Sequence, residues 1–524
     1  MHPSVTFSPG AAPHAFWERR DFVLALILLA ALPLLWPDVP PLLDLPGHMG
    51  RYRVQLDLAT SPDLQQFYGF DWQLIGNLGI DLLVVLLEPL IGLEAAVKLI
   101  VITIPALTAG GLLWVSYEVH GRVTPTALLA VPFAYNYPFL FGFVNFALAM
   151  GLALCAFAFW LRLARLGHLR MRAALFMPIS VVLWVVHAFG WGTLGVLAFS
   201  AELVRQHDNG RNFIAAGFWA GIHCLALLPP IALMLLWRSN AGGSTGDWFN
   251  WERKWDWLYM ALRDRWEWFD VGSLGLCVLM LIWSLVDRRM SWSRNLVASF
   301  LFLVIVFVLL PRIVFGSAYA DMRLAPYLFA IALVAIRFRE TATPHFQRAI
   351  AIGALAFVLI RLGGAGLSMM LYDRSYDREL AALEHVEHGA RLVSFSGREC
   401  VEPWAMTRLL HLSAMGTVRN HAFSNDQWTM AGAQLLTVRY KPGWPFTRDA
   451  SQVVTERRCR GEAWRTMNEA LAYFPRDAFD YVWLISPPPY DPALASDLRP
   501  IWRSGSSVLY RVGESDLPPA KDHE

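Results

Sequence analysis

Charged residues are scarce in this chain, and their scarcity is uneven. Only 16% of the 524 residues are Asp, Glu, Lys or Arg, whereas soluble globular proteins carry about 25%. Residues 1–372 consist mostly of long apolar runs, while residues 373–524 have an ordinary soluble composition. The formal net charge is only +2 and no dense basic patch occurs, so the electrostatic footprint of a nucleic-acid-binding protein is absent.

The sequence also has no internal repeat, no low-complexity tract and no glycine-rich phosphate loop. These absences argue against a nucleotide site and against transporter folds built from repeated halves. No small-residue cleavage motif follows the first apolar run, because Trp36-Pro37-Asp38 comes next. With Arg19-Arg20 ahead of that run, the pattern predicts an uncleaved anchor helix and a cytoplasmic N-terminus over residues 1–20.

Long apolar runs dominate the rest of the first 372 residues, and a membrane crossing needs about 20 such residues. The candidate runs are 21–36, 76–93, 95–117, 124–137, 139–162, 173–190, 191–204, 212–237, 270–286, 294–314, 323–338 and 346–371. The run 124–137 is short and interrupted by Pro132, so we expect it to be re-entrant or interfacial. The prediction is therefore a transmembrane bundle of about 11 helices over residues 21–372.

Basic clusters set the orientation of this bundle, because positive loops stay in the cytoplasm. The clusters lie at 162–172, 205–211, 287–294 and 337–348. With these inside, the first outer loop spans 37–75, and residues 238–269, 315–322 and 373–524 also lie outside. The sequence thus predicts a C-terminal domain on the far side of the membrane.

The first outer loop gathers polar residues directly after a helix. Asp44, His48 and Arg51 lie within eight positions of one another. A carboxylate at a membrane surface can accept a proton from a hydroxyl, and a guanidinium can hold a phosphate. The alternative is an ordinary solvated loop.

Aromatic residues crowd the loop 238–269. Residues 251, 255, 258, 262, 266 and 269 are all apolar or aromatic and have helical spacing. This predicts an amphipathic helix lying in the outer headgroup region. It would act either as an interfacial anchor or as a wall beside a lipid-substrate site.

The loop 315–323 carries Asp321 and Arg323, and Arg312 precedes it. Both arginines depart from the inward positive bias and would lie where a lipid phosphate sits. The alternative is a surface ion pair between Asp321 and one of the two arginines.

Two polar residues interrupt the apolar runs. His187 falls near an outer helix end and is either a site residue or a satisfied core histidine. Arg361 lies within the last run and needs a partner there, for which Glu88, Asp81 and Glu202 are candidates.

The C-terminal region predicts a small α/β domain. A helical pattern over 376–388 precedes strands at 390–395, 479–485 and 507–512. The polar segment 411–419 could face a substrate or be ordinary surface. Cys400 and Cys459 could pair in an oxidising compartment or remain separate thiols.

One anchor helix, an outer loop with an early Asp, a helix bundle and an outer domain together resemble the GT-C superfamily of membrane glycosyltransferases. The resemblance lies in Leu43-Asp44-Leu45-Pro46-Gly47-His48, in the segment from Asp71-Trp72 to Asn77, and in Ala320-Asp321-Met322-Arg323-Leu324-Ala325-Pro326. It implies an inverting hexosyl- or pentosyltransferase of the bacterial inner membrane. The expected donor is a polyprenyl-phosphate-linked sugar, and the acceptor a glycan, lipid or protein.

The resemblance also implies residue roles. Asp44 would be the general base with His48 beside it. Arg51, Arg312 and Arg323 would bind the donor phosphate, and Asp71, His187 and Asp321 would bind substrate. Leucines flank Asp44 in place of a second acidic residue, so no cofactor is certain and a divalent metal is possible.

Three other functions remain open from the sequence. They are a transporter or flippase of lipid-linked glycan, a glycan ligase or polymerase, and a non-enzymatic scaffold. Transport would spread polar residues through the depth of the bundle, whereas here they gather at one membrane face, around 38–75 and 315–323. Glycosyl transfer is therefore favoured.

Overall fold

A computed structural model describes residues 15–236, 244–314, 316–430 and 434–513. Most of the predicted cytoplasmic N-terminus, Phe315 of the predicted loop 315–323, part of the loop 238–269 and the last eleven residues of the C-terminal domain lie outside the described residues.

Helices make up most of the fold. In the first part of the chain they are α1 Arg20–Ala31, α2 Leu45–Asp57, α3 Pro62–Phe67, α4 Gly79–Ile91, α5 Leu93–His120, α6 Pro125–Leu128, α7 Tyr137–Phe141, α8 Val144–Arg165, α9 Leu169–Val186 and α10 Ala188–Asp208. They continue as α11 Phe213–Cys224, α12 Pro229–Leu236, α13 Trp251–Tyr259, α14 Glu267–Val286, α15 Arg294–Leu309, α16 Ala325–Ala335, α17 Pro344–Leu380, α18 Met415–Asn420 and α19 Met467–Tyr473.

Every predicted apolar run except 124–137 coincides with a helix or a bent pair of helices. Among the described residues, five helices (α5, α8, α9, α14 and α17) are long and apolar enough to cross a membrane, and α11 with α12, bent by 64°, would make a sixth span. Such helices are those of a multi-pass membrane protein. The total of about eleven crossings stays a prediction.

The run 124–137 does not form one spanning helix. It divides into α6, a short 3-10 turn over Val131–Tyr135 and the start of α7. The prolines at 125, 132 and 138 explain the breaks, because each removes a backbone donor and restricts the residue before it. These pieces are buried against α5 and α17.

The four basic clusters lie at the same end of the bundle. Arg172 donates to Glu202 at 3.1 Å, which joins the first cluster to the helix that leads into the second. Arg294 pairs with Asp208 and so joins the second to the third. Strand β2 (Met290–Trp292) pairs with β3 (Ile336–Phe338), and this joins the third to the fourth.

The last long helix connects this end to the C-terminal domain. At 1.5 Å per residue, the 37 residues of α17 extend for about 55 Å. The predicted domain boundary at 372/373 falls inside this helix, so the bundle and the domain share one continuous element.

The C-terminal domain is built on a mixed sheet. Its strands are β4 Arg391–Gly397, β5 Phe423–Ser424, β7 Val453–Thr455, β8 Arg465–Thr466, β9 Tyr481–Ile485, β10 Arg499–Ser504 and β11 Ser507–Arg511. Two further strands, β1 Tyr68–Phe70 and β6 Leu436–Val438, form a separate pair. The sheet order is β10-β11-β9-β4-β7-β8, with β5 beside β4. Strands β4, β5, β7, β8 and β9 run parallel, while β10 and β11 add an antiparallel hairpin.

The predicted fold class, a mainly helical bundle followed by a C-terminal α/β domain, is confirmed. The first outer loop is also part of that domain, because β1 pairs with β6 with Tyr68 opposite Val438. Cys400 and Cys459 form a disulfide, which settles the open choice between a pair and two thiols.

The predicted helix through residues 251–269 is wrong in its extent, because α13 ends at Tyr259 and α14 begins at Glu267. In the break, the Arg263 guanidinium donates to the carbonyls of Pro403 and Trp404 at 2.8 and 2.9 Å. The adjacent Asp264 carboxylate is buried and paired with an arginine of the C-terminal domain. These contacts stabilise the break.

Arg361 has a partner that the sequence did not single out. Its guanidinium donates to Asp270 at 2.7 Å and to the carbonyl of Leu262 at 3.2 Å. The three carboxylates considered from the sequence are therefore not its partners, and the buried charge has a structural ion pair.

Candidate active site

A cavity of about 950 Å³ lies where the bundle meets the C-terminal domain. Five of the eight predicted site residues line it, namely Asp44, His48, Arg51, Arg312 and Arg323. They come from the start of α2 and from the segment before α16. The fold thus brings the first outer loop and the late outer loop to one space, together with a wall from the C-terminal domain.

Asp44 stands at the N-terminal end of α2, but its side chain makes no capping bond. Its backbone N–H donates to the carbonyl of Phe141 at 3.0 Å. This approach depends on Gly142 (φ 103°), where an added Cβ would lie 2.6 Å from the Asp44 nitrogen. Among the described residues the carboxylate receives no hydrogen bond, so it is available to a bound molecule.

Burial raises the pKa of Asp44 to about 7, although nearby cations oppose the shift. A carboxylate with this pKa is partly ionised at neutral pH and can both take and release a proton. This is the property that a general base requires.

His411 of the C-terminal domain is the nearest charged neighbour of Asp44, with Nε2 3.9 Å from the carboxylate. Its Nδ1–H donates to the Asp426 carbonyl at 3.2 Å, which turns Nε2 toward Asp44. Burial alone would lower the pKa of His411, but the carboxylates of Asp449, Asp44 and Asp426 raise it above its ordinary value. These carboxylates therefore favour the protonated form of His411 beside the candidate base.

His48 lines the same cavity but makes no hydrogen bond to the Asp44 carboxylate among the described residues. Its ring lies against Tyr52 and Trp428, with centroids 6.4 and 5.3 Å away. Burial lowers the pKa of His48 well below its usual range, so it is neutral. His411 rather than His48, the residue expected there, occupies the position beside the Asp44 carboxylate.

Arg323 is the least neutralised cation of the cavity. Its guanidinium lies over the ring of Phe143, 4.5 Å from the centroid, and donates to the Ser317 hydroxyl at 3.4 Å. Within the described residues no carboxylate lies within 4 Å of it, and its buried Nε has no partner. Burial lowers its pKa to about 10, against the opposing effect of Asp44, so it stays charged at neutral pH.

The other two predicted phosphate ligands are already paired. Arg312 forms an ion pair with Asp247 and remains partly exposed at the cavity. Arg51 is buried against Asp81, 3.0 Å away, and Asn145 donates to the same carboxylate at 3.0 Å. The charge of Arg51 is thus balanced within the fold, and Arg323 is the stronger candidate.

Three predicted substrate-binding residues lie off the cavity. Asp71 is exposed in the segment before α4. His187 caps α10, where its Nδ1 accepts from the Phe189 N–H at 3.1 Å. Neither residue lines this cavity, and the substrate-binding role expected of each stays a prediction.

Asp321 is also absent from the cavity lining. It is fully buried, and its carboxylate accepts from Lys254 Nζ and Trp257 Nε1, both at 3.1 Å. The alternative ion pair with Arg312 or Arg323 is therefore wrong. The buried pair with Lys254 fixes α13 against the segment that carries Arg323.

The C-terminal domain supplies a further wall that the sequence did not assign. Several of its lining residues are aromatic, amide or acidic: Glu402, Trp428, Gln434, Asp449, Gln452, Glu462 and Trp464; the basic residues Arg398 and His411 line the same wall. They stand opposite a bundle wall rich in arginine and aromatic rings. Both walls of the cavity thus carry basic and acidic side chains, and the C-terminal wall adds amide groups and indole rings.

No group of three or more His, Cys, Asp or Glu side chains that could hold a metal ion occurs in the described parts of the chain. The acidic residues of the cavity are dispersed among arginines rather than clustered.

No family model matches this chain, and no curated protein matches it. Among solved structures, it is similar to ArnT from Cupriavidus metallidurans bound to undecaprenyl phosphate. The likeness covers 94% of this chain and 98% of that one, with 12% sequence identity and a TM-score of 0.42. The candidate site is therefore assigned from the geometry of this chain.

Proposed function

We propose that this chain is a GT-C-type membrane glycosyltransferase that uses a polyprenyl-phosphate-linked sugar as donor. One observation carries the proposal: the unbonded Asp44 carboxylate and the incompletely neutralised Arg323 guanidinium line the same cavity beside the bundle. The acceptor is a glycan, lipid or protein.

The proposed chemistry is one displacement. The acceptor oxygen bonds to the anomeric carbon while the bond from that carbon to the phosphate oxygen breaks. The hydroxyl proton passes to Asp44, and the electron pair leaves with the lipid phosphate. Arg323, with Arg312 at the edge, stabilises the charge that develops on that phosphate. A single displacement inverts the anomeric configuration.

The surroundings of the cavity support a lipid-linked donor. Arg253 and Trp257 of α13 line the cavity, while Trp251 and Trp255 of the same helix are 53% and 69% exposed. Exposed tryptophans suit the membrane interface. A lipid phosphate could thus reach Arg323 while its chain stays in the bilayer.

The proposed location is the bacterial inner membrane, with the C-terminal domain outside the cytoplasm. The four basic clusters gather at the end of the bundle from which α17 starts, and the domain stands at the other end of that helix. Positive loops favour the cytoplasmic side. The Cys400–Cys459 disulfide agrees with an oxidising compartment for the domain.

Transfer of labelled sugar tests the function. Membranes containing the wild-type chain, the Asp44→Asn variant or the Asp71→Asn control receive polyprenyl-phosphate-linked hexoses and pentoses, and labelled products are resolved by size. Asp44→Asn should reduce the rate by about 10²–10⁴-fold, the usual contribution of a general base, and Asp71→Asn should leave it unchanged.

Three outcomes contradict the proposal. Full activity of Asp44→Asn would show that Asp44 is not the base. Movement of intact donor across the membrane without transfer would identify a flippase, and transfer of whole glycan blocks would identify a ligase or polymerase.

A further inference from the structure

A second cavity, of about 740 Å³, opens in the C-terminal domain at one edge of its sheet. Gly397 ends β4, Thr455 ends β7 and Ser486 follows β9, and all three residues line it. Because these strands are parallel, their carboxyl ends meet at this edge. The cavity volume lies within the range of about 300–1,000 Å³ that small-molecule sites occupy.

The strand order makes this edge a place where connections diverge. From β4 the chain goes to β7 and β8 on one side, and then returns to β9 on the other side of β4. In open α/β sheets, ligands bind in the crevice that forms at such a reversal, outside the carboxyl ends of the strands. A Cβ at Gly397 would lie 2.0 Å from the Ser486 carbonyl oxygen, so the glycine allows the two strand ends to meet there.

The second cavity shares a wall with the candidate active site. The residues that line both are Leu43, Arg398, Cys400, Val401, Glu402 and Leu410. The disulfide of Cys400 anchors this wall, and Leu43 directly precedes the candidate base. A molecule that contacts Leu43 from the second cavity therefore touches the residue next to Asp44 in the chain.

Arg398 lies at the junction of the two spaces. Its guanidinium lies over the ring of Trp464, 4.6 Å from the centroid, and is 3.4 Å from Glu402. Its buried Nε has no hydrogen-bond partner among the described residues. A ligand oxygen that crosses from one cavity to the other would satisfy this donor.

The two cavities differ in charge. Six arginines and four acidic residues line the first, whereas three arginines and three glutamates line the second. The second also has hydroxyls at Thr407 and Thr455 and apolar ring faces at Pro488 and Pro489. Balanced donors and acceptors beside apolar faces suit a neutral polyhydroxylated chain better than a polyanion or a lipid.

We propose that the second cavity is the subsite for a neutral glycan acceptor, whose reactive hydroxyl passes the Arg398 junction to reach Asp44. This proposal rests on the proposed glycosyl transfer. It gives the sheet of the C-terminal domain a binding role and assigns the two substrates to separate cavities.

Glycan binding by the purified full-length chain tests the subsite. Detergent-solubilised protein is applied to an array of immobilised neutral and acidic oligosaccharides. The wild-type chain should bind neutral members. The variant Thr407→Trp places an indole in the second cavity from an exposed position. This variant should bind neutral glycans at least about tenfold more weakly. Ser496→Trp, at an exposed position outside both cavities, is the matched control and should bind as the wild type does.

A conservative variant guards against misfolding. Glu456→Gln keeps the side-chain shape at an exposed cavity position and should also weaken glycan binding. Polyprenyl-phosphate binding should be unchanged in both cavity variants, which shows that the first cavity is intact.

The outcomes separate this inference from the proposed function. Binding of no neutral glycan, or wild-type binding by both cavity variants, overturns the subsite. If transfer occurs and Thr407→Trp leaves the acceptor KM unchanged, the subsite is refuted while the function stands. If glycan binding follows the expected pattern but no transfer occurs, the function fails and the glycan site remains.

Discussion

Removal of the His411 imidazole should shift the pH dependence of sugar transfer. The His411 Nε2 lies 3.9 Å from the Asp44 carboxylate. Two unit charges about 4 Å apart interact by about 4 kcal/mol at an effective dielectric constant of 20, which is an upper limit for this pair. An opposite charge at such a distance usually shifts a carboxyl pKa by about 1–3 units.

The expected change follows from the ionised fraction of Asp44. With the Asp44 pKa at about 7, the rate rises with pH through 7 because only the carboxylate accepts a proton. In His411→Gln the lost cation would raise that pKa by about one unit. The ionised fraction at pH 7 then falls from about one half to about one tenth, so the rate falls about fivefold there and recovers almost fully at pH 9.

The assay is kcat/KM for transfer between pH 5.5 and 9.5. His48→Gln is the matched control, since His48 lines the cavity without a hydrogen bond to the Asp44 carboxylate among the described residues. The midpoint of the pH–rate curve of this variant should stay near pH 7. If kcat/KM of His411→Gln fell by the same factor at every pH, an electrostatic role of His411 would be refuted and only a structural role would remain.

Other perturbations test the site and its supports. Arg323→Gln should weaken polyprenyl-phosphate binding about 10–100-fold, because a hydrogen bond to a charged group contributes about 1.5–3 kcal/mol. Lys254→Met should lower the free energy of unfolding by about 3–5 kcal/mol, because it leaves the buried Asp321 carboxylate unpaired; thermal unfolding in detergent measures the loss. The double variant Cys400→Ser with Cys459→Ser should lower the stability of the C-terminal domain by about 2–4 kcal/mol, seen as earlier proteolysis of that domain.

Matched controls accompany two of these variants. Arg253→Gln removes another cavity arginine, but one that is 51% exposed and paired with Asp256, so lipid-phosphate affinity should change little. Lys98→Met removes a cation whose partner Asp38 is 91% exposed, so stability should change by less than about 1 kcal/mol. Equal effects in the control and the test variant would contradict the corresponding prediction.

The sequence was informative wherever a local pattern determined the outcome. Apolar runs located the helices and alternating apolar residues located β4, β9 and β11, because both signals depend on neighbours in the chain. The prolines that interrupt the run 124–137 are a local signal of the same kind. The basic clusters are local signals as well, and the structure places them at one end of the bundle.

Pairings between distant segments could not be predicted. His411 reaches Asp44 from another domain, and no spacing rule connects them. Lys254 lies outside the apolar positions of the amphipathic pattern over 251–269, yet it is buried against Asp321. A surface charge and a buried paired charge look identical in a sequence, since only the third dimension supplies the partner.

The continuous helix α17 constrains how this protein can evolve. Deletion of one residue from it would turn everything beyond by about 100° and draw it in by about 1.5 Å. Separate strand pairs position the two ends of α17. The β2–β3 pair lies near its start, and the β1–β6 pair belongs to the domain that follows its end. Relatives should therefore vary in the length of surface loops while the spacing from Pro344 to Leu380 stays constant.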